Sequence, residues 1–586
     1  MDRRDFIWLM SCAASAGLLP GCTRGLMRED VYEAPSFGNA RLLHFTDCHA
    51  QLMPVYFREP NVNIGVAGAR GRPPHLVGQH LLDHIGASVG SSDAYAFTYL
   101  DFVAAAEQFG KVGGFAYLKT LIDSQRAQVG DGNSLLLDGG DTWQGSATAL
   151  WTRGQDMVEA CNMLGVDIMT GHWEFTYRDE EVLQNIQRFN GEFLAQNVRV
   201  TEDALFDGAS AYDEDSGHAF KPYTIREVGE RRIAVIGQAF PYTPIANPSR
   251  FIPDWTFGIR DDDMQELVDS IREDEKPDAV IVLSHNGMDV DVKMASRVSG
   301  VDAILGGHTH DGVPQPLVIE NARGKTLVTN AGSNGKYLAV LDLDIGVGKV
   351  NDYRYRLLPV FSNLLTADAE MQAYIDGVRR PHLAKLEEPL AVADSLLYRR
   401  GNFNGTFDQV ICDAMIEVGD AEISLSPGFR WGTSVLPGDT ITMERLMDQT
   451  AMTYPETYVR EMSGAEIKII LESVADNLFH TDPYYQQGGD MVRLGGLNYS
   501  CDPMASMDSR ITDLTLDDGR SLDATKNYKV AGWATVGAES PGPPIWDVVA
   551  EYLREKKTIT VDKVNTPVLK NVANNAGLAD YSGLLE

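Results

Sequence analysis

Cysteine is scarce in this chain, at 6 among 586 residues, and the six show no tight pairing pattern. A disulfide framework of the kind that staples small secreted domains is therefore excluded, and a chain of this length needs none. Buried free thiols are expected at Cys48, Cys161, Cys412 and Cys501, with a Cys412–Cys501 bridge as the alternative. Basic residues are also short: 50 Lys and Arg against 83 Asp and Glu leave a net charge of −33. That balance excludes nucleic acid, whose phosphates require a basic footprint. It does not exclude an anionic substrate, because metal ions and a few arginines invert the field locally. Repeats and low-complexity tracts are absent as well.

The apolar run Ile7–Leu19 is too short to span a bilayer, which takes ~20 residues. Preceded by Arg3-Arg4-Asp5-Phe6, it reads as a twin-arginine export signal. Residues 1–37 are therefore set aside as signal and linker, and a periplasmic location is expected. That route exports folded protein, which suits a site loaded with metal beforehand. Leu18-Leu19-Pro20-Gly21-Cys22 looks like a lipobox, so membrane attachment is expected only if Cys22 is lipidated.

What remains fits a soluble globular protein, with 44% hydrophobic residues and a mean hydropathy of −0.19. Its length calls for more than one domain, since single cores rarely exceed ~250–300 residues. The organising stretch is 302-DAILGGHTHD-311, an apolar strand and a Gly-Gly turn that delivers His308 and His310. Read as an extended segment, positions i and i+2 face the same side. Four other apolar runs end in the same kind of residue: 41-RLLHFTDCHA-50 in Asp47 and His49, 134-SLLLDGGDTWQGS-146 in Asp141, 166-VDIMTGHWEFTY-177 in His172, and 278-DAVIVLSHNG-287 in His285. Each motif alone is as well explained by a polar turn. Together they place ligand-type side chains after the C-terminal ends of five strands, where open α/β sheets build their sites.

Residues 51–110 read as a long insertion over the site's mouth, with one helix near Ala94–Gln108. A helix over Lys111–Gln128 follows. A charged helical stretch, Ala367–Leu390, interrupted at Pro381, reads as a linker to a second α/β domain with helices over Gly405–Val418 and Gly464–Asn477. The domain expectation is 38–362, a linker over 363–390, and 391–586.

The series Asp47-Cys48-His49, Gly140-Asp141, Gly171-His172-Trp173-Glu174, Ser284-His285-Asn286 and Gly306-Gly307-His308-Thr309-His310 resembles the calcineurin-like binuclear metallophosphatases, nearest their 5′-nucleotidase group. The stretches 402-NFNGTFDQVICDAM-415, 426-SPGFRWGTSVLPGDTIT-442 and 462-MSGAEIKIILE-472 look like that group's substrate-binding domain. The resemblance implies an α/β chain with a four-layer αββα sandwich and a C-terminal α/β domain. It implies two divalent cations: Asp47, His49 and His310 on one, His172, His285 and His308 on the other, and Asp141 bridging. Such a pair clamps attacking and leaving oxygens and acidifies water. The resemblance places catalysis on Asp141, His172 and Arg430 and substrate contact on Arg430, with Arg493 and Tyr499 as further candidates. Glu174 is expected to orient the third motif rather than act as a base.

The third motif departs from the nucleotidase pattern Gly-Asn-His-Glu-Phe-Asp. Here His172 replaces the metal-binding Asn, Trp173 the leaving-group His and Thr176 its Asp partner. The variant GHWEFTY is similar to the thiosulfohydrolases of the bacterial Sox sulfur-oxidation system. That likeness implies a dimanganese enzyme, expected to be monomeric, acting on the S-thiosulfonate of a cysteine in the C-terminal arm of SoxY, within the SoxYZ carrier. Five imidazoles and two carboxylates suit zinc or iron equally well, so manganese comes from the resemblance alone. A periplasmic nucleotidase and a non-catalytic binder of an anionic peptide tail are the alternatives.

Overall fold

The computed structural model describes residues 31–537 and 540–579. The twin-arginine motif, the apolar run after it and Cys22 lie outside the described residues. Among the described residues no helix is long and apolar enough to cross a membrane.

The strand Ala40–Phe45 shows how the first domain is layered. Its side chains alternate across the sheet: Leu42 enters a core between two sheets, while Leu43 and Phe45 enter a core beneath helices. The first sheet runs Lys349–Pro359, Tyr337–Gly346, Ala40–Phe45, Ser134–Asp138, Ile168–Met169, Glu192–Phe193. The second runs Leu317–Asn321, Gly324–Asn330, Ala303–Gly306, Ala279–Ser284, Arg231–Gln238, Tyr223–Val228. Leu42, Leu137, Ile281, Leu305 and Leu341 fill the space between them. Helices Phe115–Val129 and Gln155–Leu164 cover the first sheet through Leu118, Leu121 and Met157. Asp261–Ser270 and Met288–Arg297 cover the second through Met264, Val268 and Met294. The architecture is thus helix, sheet, sheet, helix.

Tyr337–Gly346 runs antiparallel to Ala40–Phe45, but the strands that carry the motifs are parallel within each sheet: Ala40–Phe45 with Ser134–Asp138, in register Leu42↔Leu135, and Ala303–Gly306 with Ala279–Ser284, in register Ile304↔Val282. Their C-terminal ends open on the same side, which is where the five motifs emerge.

The insertion differs from the single helix expected. It forms Gln79–Ile85, Ser92–Phe97 and Phe102–Phe109, the second opened by the Ser91 hydroxyl accepting from the Ala94 amide. Tyr95, Phe102 and Phe109 pack with Phe361. The same segment reaches the second domain, where Tyr56 bridges Ser434 and the Ile64 amide donates to Asn402 at 2.7 Å.

The stretch around Pro381 is helical but not free-standing. Ala369–Arg379 buries Met371 and Ile375 in the first domain's core, before a tight turn at Arg380–His382. Beyond it, helices Thr406–Gly419, Gly464–Phe479 and Ile545–Lys556 flank a four-stranded sheet ordered Thr457–Ser463, Asn527–Trp533, Ile423–Ser426, Arg493–Gly495. Cys48, Cys161, Cys412 and Cys501 are buried and free, so the Cys412–Cys501 bridge is not formed.

Candidate metal centre

The strand-end loops are not extended, contrary to the i, i+2 reading of the sequence. Asp47, His49, Asp141, His308 and His310 all adopt positive φ, between 44° and 74°. Non-glycine residues avoid this region, and clusters of such strain mark functional loops. The turn before His308 needs glycine because a Cβ on Gly307 would lie 2.4 Å from the Thr46 hydroxyl and 3.0 Å from Asp47 Oδ2. Those tight turns throw the side chains inward instead of along the strands.

All seven candidate ligands meet. Asp141, His172, His285 and His308 form one buried group, and Asp47, His49, Asp141 and His310 another. Asp141 belongs to both. Its Oδ2 lies 3.1 Å from His285 Nε2, 3.2 Å from His172 Nδ1 and 3.7 Å from His49 Nε2. Its Oδ1 accepts from the Trp173 amide at 2.6 Å, which leaves Oδ2 as the shared atom. His49 Nε2 and His310 Nε2 are 3.0 Å apart, and His310 Nε2 is 3.3 Å from Asp47 Oδ1.

The surroundings aim these atoms. His285 Nδ1 donates to the Gly139 carbonyl at 2.6 Å, turning Nε2 to the centre. Asp47 accepts from the Thr46 hydroxyl and from the His308 amide. Glu174, fully buried, accepts four amides: Thr142 (2.8 Å) and Trp143 (3.1 Å) at Oε1, and His172 (2.8 Å) and Asp141 (3.2 Å) at Oε2. It therefore sets the loops that carry Asp141 and His172, as expected, and its carboxylate faces amides instead of a substrate.

Electrostatics agree with a cation site. Burial would raise the Asp141 carboxyl, but His172 and His285 hold it well below the usual range. Burial lowers His308 and His310, and Arg430 pushes both further down. Burial opposes charge on His285, yet Asp141 and Asp47 raise it to about 10. A cation taking that place displaces a proton, as ligand deprotonation requires. His285 Nε2 and His308 Nε2 are buried with no hydrogen-bond partner, so the donor set fits two divalent cations.

The centre floors a cleft of about 160 Å³ lined by His49, Asp141, His172, His308, His310, Trp173, Phe240, Phe429, Arg430, Trp431 and Gln487-Gly488-Gly489. Fold and geometry together match known proteins. Residues 388–542 match the family model described as 5′-nucleotidase, C-terminal domain. The structure of sulfate thiohydrolase SoxB from Thermus thermophilus superposes with a TM-score of 0.85 at 38% identity, covering 92% of this chain and 98% of that one.

The chain belongs to the SoxB family.

A 5′-nucleotidase precursor, also from Thermus thermophilus, shares the fold, with a TM-score of 0.70 at 21% identity over 91% of this chain and 99% of its own. The trifunctional nucleotide phosphoesterase protein YfkN of Bacillus subtilis is 24% identical over 496 residues, 78% of this chain. The chain spans only 33% of YfkN. The chain therefore lies within the wider 5′-nucleotidase superfamily.

In this SoxB-family chain the departures of the third motif have a clear setting. Trp173 is buried edge-on against Trp431 (5.1 Å, 82°) and Phe429 (5.6 Å, 87°) of the second domain. Thr176 Oγ1 bonds Thr453 Oγ1 at 2.6 Å. Arg430 lines the cleft, its Nη2 donating to the Gly489 carbonyl at 2.8 Å and its Nη1 buried without a partner.

Two residues expected at the substrate lie elsewhere. Arg493 is fully buried behind the cleft wall, its charge taken by Asp490 (3.2 Å) and Asp408 (3.3 Å). Tyr499 packs in the second domain's core with Leu494 and Ile511. Neither lines the cleft. Sequence reasoning missed Phe240, whose ring stacks on His308 at 4.0 Å. It follows strand Arg231–Gln238, a parallel strand whose end carries no ligand. Asp490 and Arg400 were missed too, since a lone acid or arginine in a loop gives no signal.

Proposed function

We propose that this chain hydrolyses a cysteine-bound thiosulfonate, releasing sulfate and leaving a persulfide on a carrier of the SoxYZ type. Water adds to the terminal sulfur and the bond to the inner sulfur breaks, the electron pair leaving on the carrier. Two protons are released. Two divalent cations, when bound, supply Lewis acidity and acidify water at neutral pH.

One observation carries this reading. Directly over the metal centre Arg430 is the ionisable side chain besides the ligand candidates, with His75, Asp289, Asp311 and Arg400 set in the adjoining hollow, and a guanidinium does not donate protons at neutral pH. An alkoxide leaving group needs a general acid. A thiol has a pKa of ~8.5 and a persulfide lies lower, so it departs unprotonated. Arg430 answers the tetrahedral sulfonate as an anion fork. Trp173, Phe429 and Trp431 exclude water beside it. Asp141 and His172 would hold the cations that supply this chemistry, and manganese is the metal the resemblance favours. Export to the periplasm by the twin-arginine route belongs to the same reading.

The curated nucleotidase relatives favour a second reading, phosphoester hydrolysis. Metal analysis of purified protein, followed by parallel assays with thiosulfonated SoxYZ and with nucleotides, separates the two. Sulfate release with little phosphate release is expected; strong phosphate release with no sulfate reverses the assignment.

A further inference from the structure

Behind the cleft wall lies a buried ionic cluster built around one carboxylate. Asp490 accepts from Asn402 Nδ2 at 3.2 Å and Arg493 Nη2 at 3.2 Å, and stands 3.6 Å from Arg430 Nε and 4.0 Å from Arg400 Nη1. Its own amide donates to the Gly428 carbonyl at 2.8 Å, tying the loop that follows Gly488-Gly489 to the loop that carries Arg430. Burial would raise this carboxyl, yet Arg430, Arg493 and Arg400 keep it lowered and ionised. The ion pairs extend outward: Arg493 and Arg399 share Asp408 (3.3 and 2.7 Å), and Arg400 reaches Asp311 at 3.3 Å.

Arg399, Arg400, Arg430 and Arg493 face Asp311, Asp408 and Asp490, so one positive charge is left over. Arg399 donates to Asp408 and to the Gln449 carbonyl at 2.7 Å, and Arg493 is held through Nη2 by Asp490 and the Gly401 carbonyl. Arg430 alone of the four lines the metal cleft, and its Nη1 is buried and unpartnered. Arg400 Nε and Arg493 Nη1 are unpartnered as well, but of these arginines Arg430 is the one set over the metal centre, where an anion can reach its free edge.

We infer that Asp490 is a positioning residue that fixes the Arg430 guanidinium by its Nε side, so that Nη1 and the cluster's surplus charge serve a tetrahedral oxyanion above the metal pair. It touches neither substrate nor metal; it acts through Arg430. This deepens the proposed function, but it holds for any tetrahedral anion, and so its test does not use the carrier.

The probe is inorganic sulfate, titrated calorimetrically into metal-loaded full-length protein, with metal content and melting temperature recorded for each variant. Asp490→Asn is expected to weaken sulfate binding about tenfold with the metal content unchanged, and to have less than a twofold effect in an Arg430→Ala background. If the carboxylate merely dampened the positive field, its removal would tighten sulfate binding. If it merely supported the fold, the loss would persist without Arg430. Either result overturns the inference. Should Asp490→Asn fail to fold, Arg430→Lys carries the same test: it keeps the charge but not the grip of Asp490. A similar tenfold loss is expected, and wild-type sulfate affinity overturns the inference. Failure to release sulfate from thiosulfonated SoxYZ would reverse the proposed substrate and leave this result standing.

Discussion

The Nε2 atoms of His49 and His310, 261 residues apart in sequence, stand 3.0 Å from each other. Two imidazole nitrogens at that distance share either a proton or a cation, and Asp47 and Asp141 beside them supply the negative charge a cation needs. His310→Ala should therefore retain about one metal per chain by elemental analysis. Asp141→Ala, which removes the side chain common to both groups, should lose both. Equal stoichiometry in the two variants would contradict a shared Asp141.

Glu174 offers a sharper test of preorganisation. Replacing it with Gln puts an NH2 group against amides that now donate to a carboxylate. Supporting partners of this kind typically carry 10–100-fold in metal affinity. A loss of about that size is expected in a competitive chelator titration, with the fold retained by circular dichroism.

Restoring histidine at Trp173 should not raise turnover of the thiosulfonate, because a persulfide leaving group needs no proton. The ring contacts with Trp431 and Phe429 would also be lost. Steady-state sulfate release should fall or stay level; a large rise would show that protonation limits the reaction.

His75, in the insertion, contacts Asp289 at 3.0 Å through Nε2 and the Asn63 carbonyl at 3.1 Å through Nδ1. Burial would lower its pKa, but Asp289, as ion pair and hydrogen-bond partner, and Asp311 nearby raise it overall. The folded pKa thus exceeds the unfolded value of ~6.5. The stabilisation is complete below that value and is lost as pH rises through the folded pKa. His75→Gln should cost about 1–2 kcal/mol at pH 5 and much less at pH 9. Denaturant unfolding at the two pH values measures the difference.

Much of the centre was legible because its ligands end apolar runs: Leu43-His44-Phe45 leads to Asp47, and Ala303-Ile304-Leu305 leads to His308. Short runs of that kind, closed by Gly-rich turns, read as buried strands, and parallel strands gather their C-terminal ends on one side. The backbone at those ends was not legible, since five left-handed residues in a row of motifs follow from packing against one another, not from local preference. Strand Lys349–Pro359 went unseen because one face is solvent-exposed and its KVNDYRYR alternates weakly. Arg493 looked like a substrate residue because one of its two carboxylate partners, Asp408, lies 85 positions earlier, and the other, Asp490, is an unmarked acid in a Gly-rich loop. The insertion's break at Thr98–Asp101 depends on Tyr95 and Phe102 stacking on each other at 5.7 Å, a tertiary choice.

The insertion is stitched to both halves of the molecule, by Val55 to Val112 on one side and by Tyr56 to Ser434 and Ile64 to Asn402 on the other. A segment fastened at both banks sets the gauge of the entrance between them. On the reading proposed above, a carrier's terminal arm passes through that gap while the body that bears it stays outside.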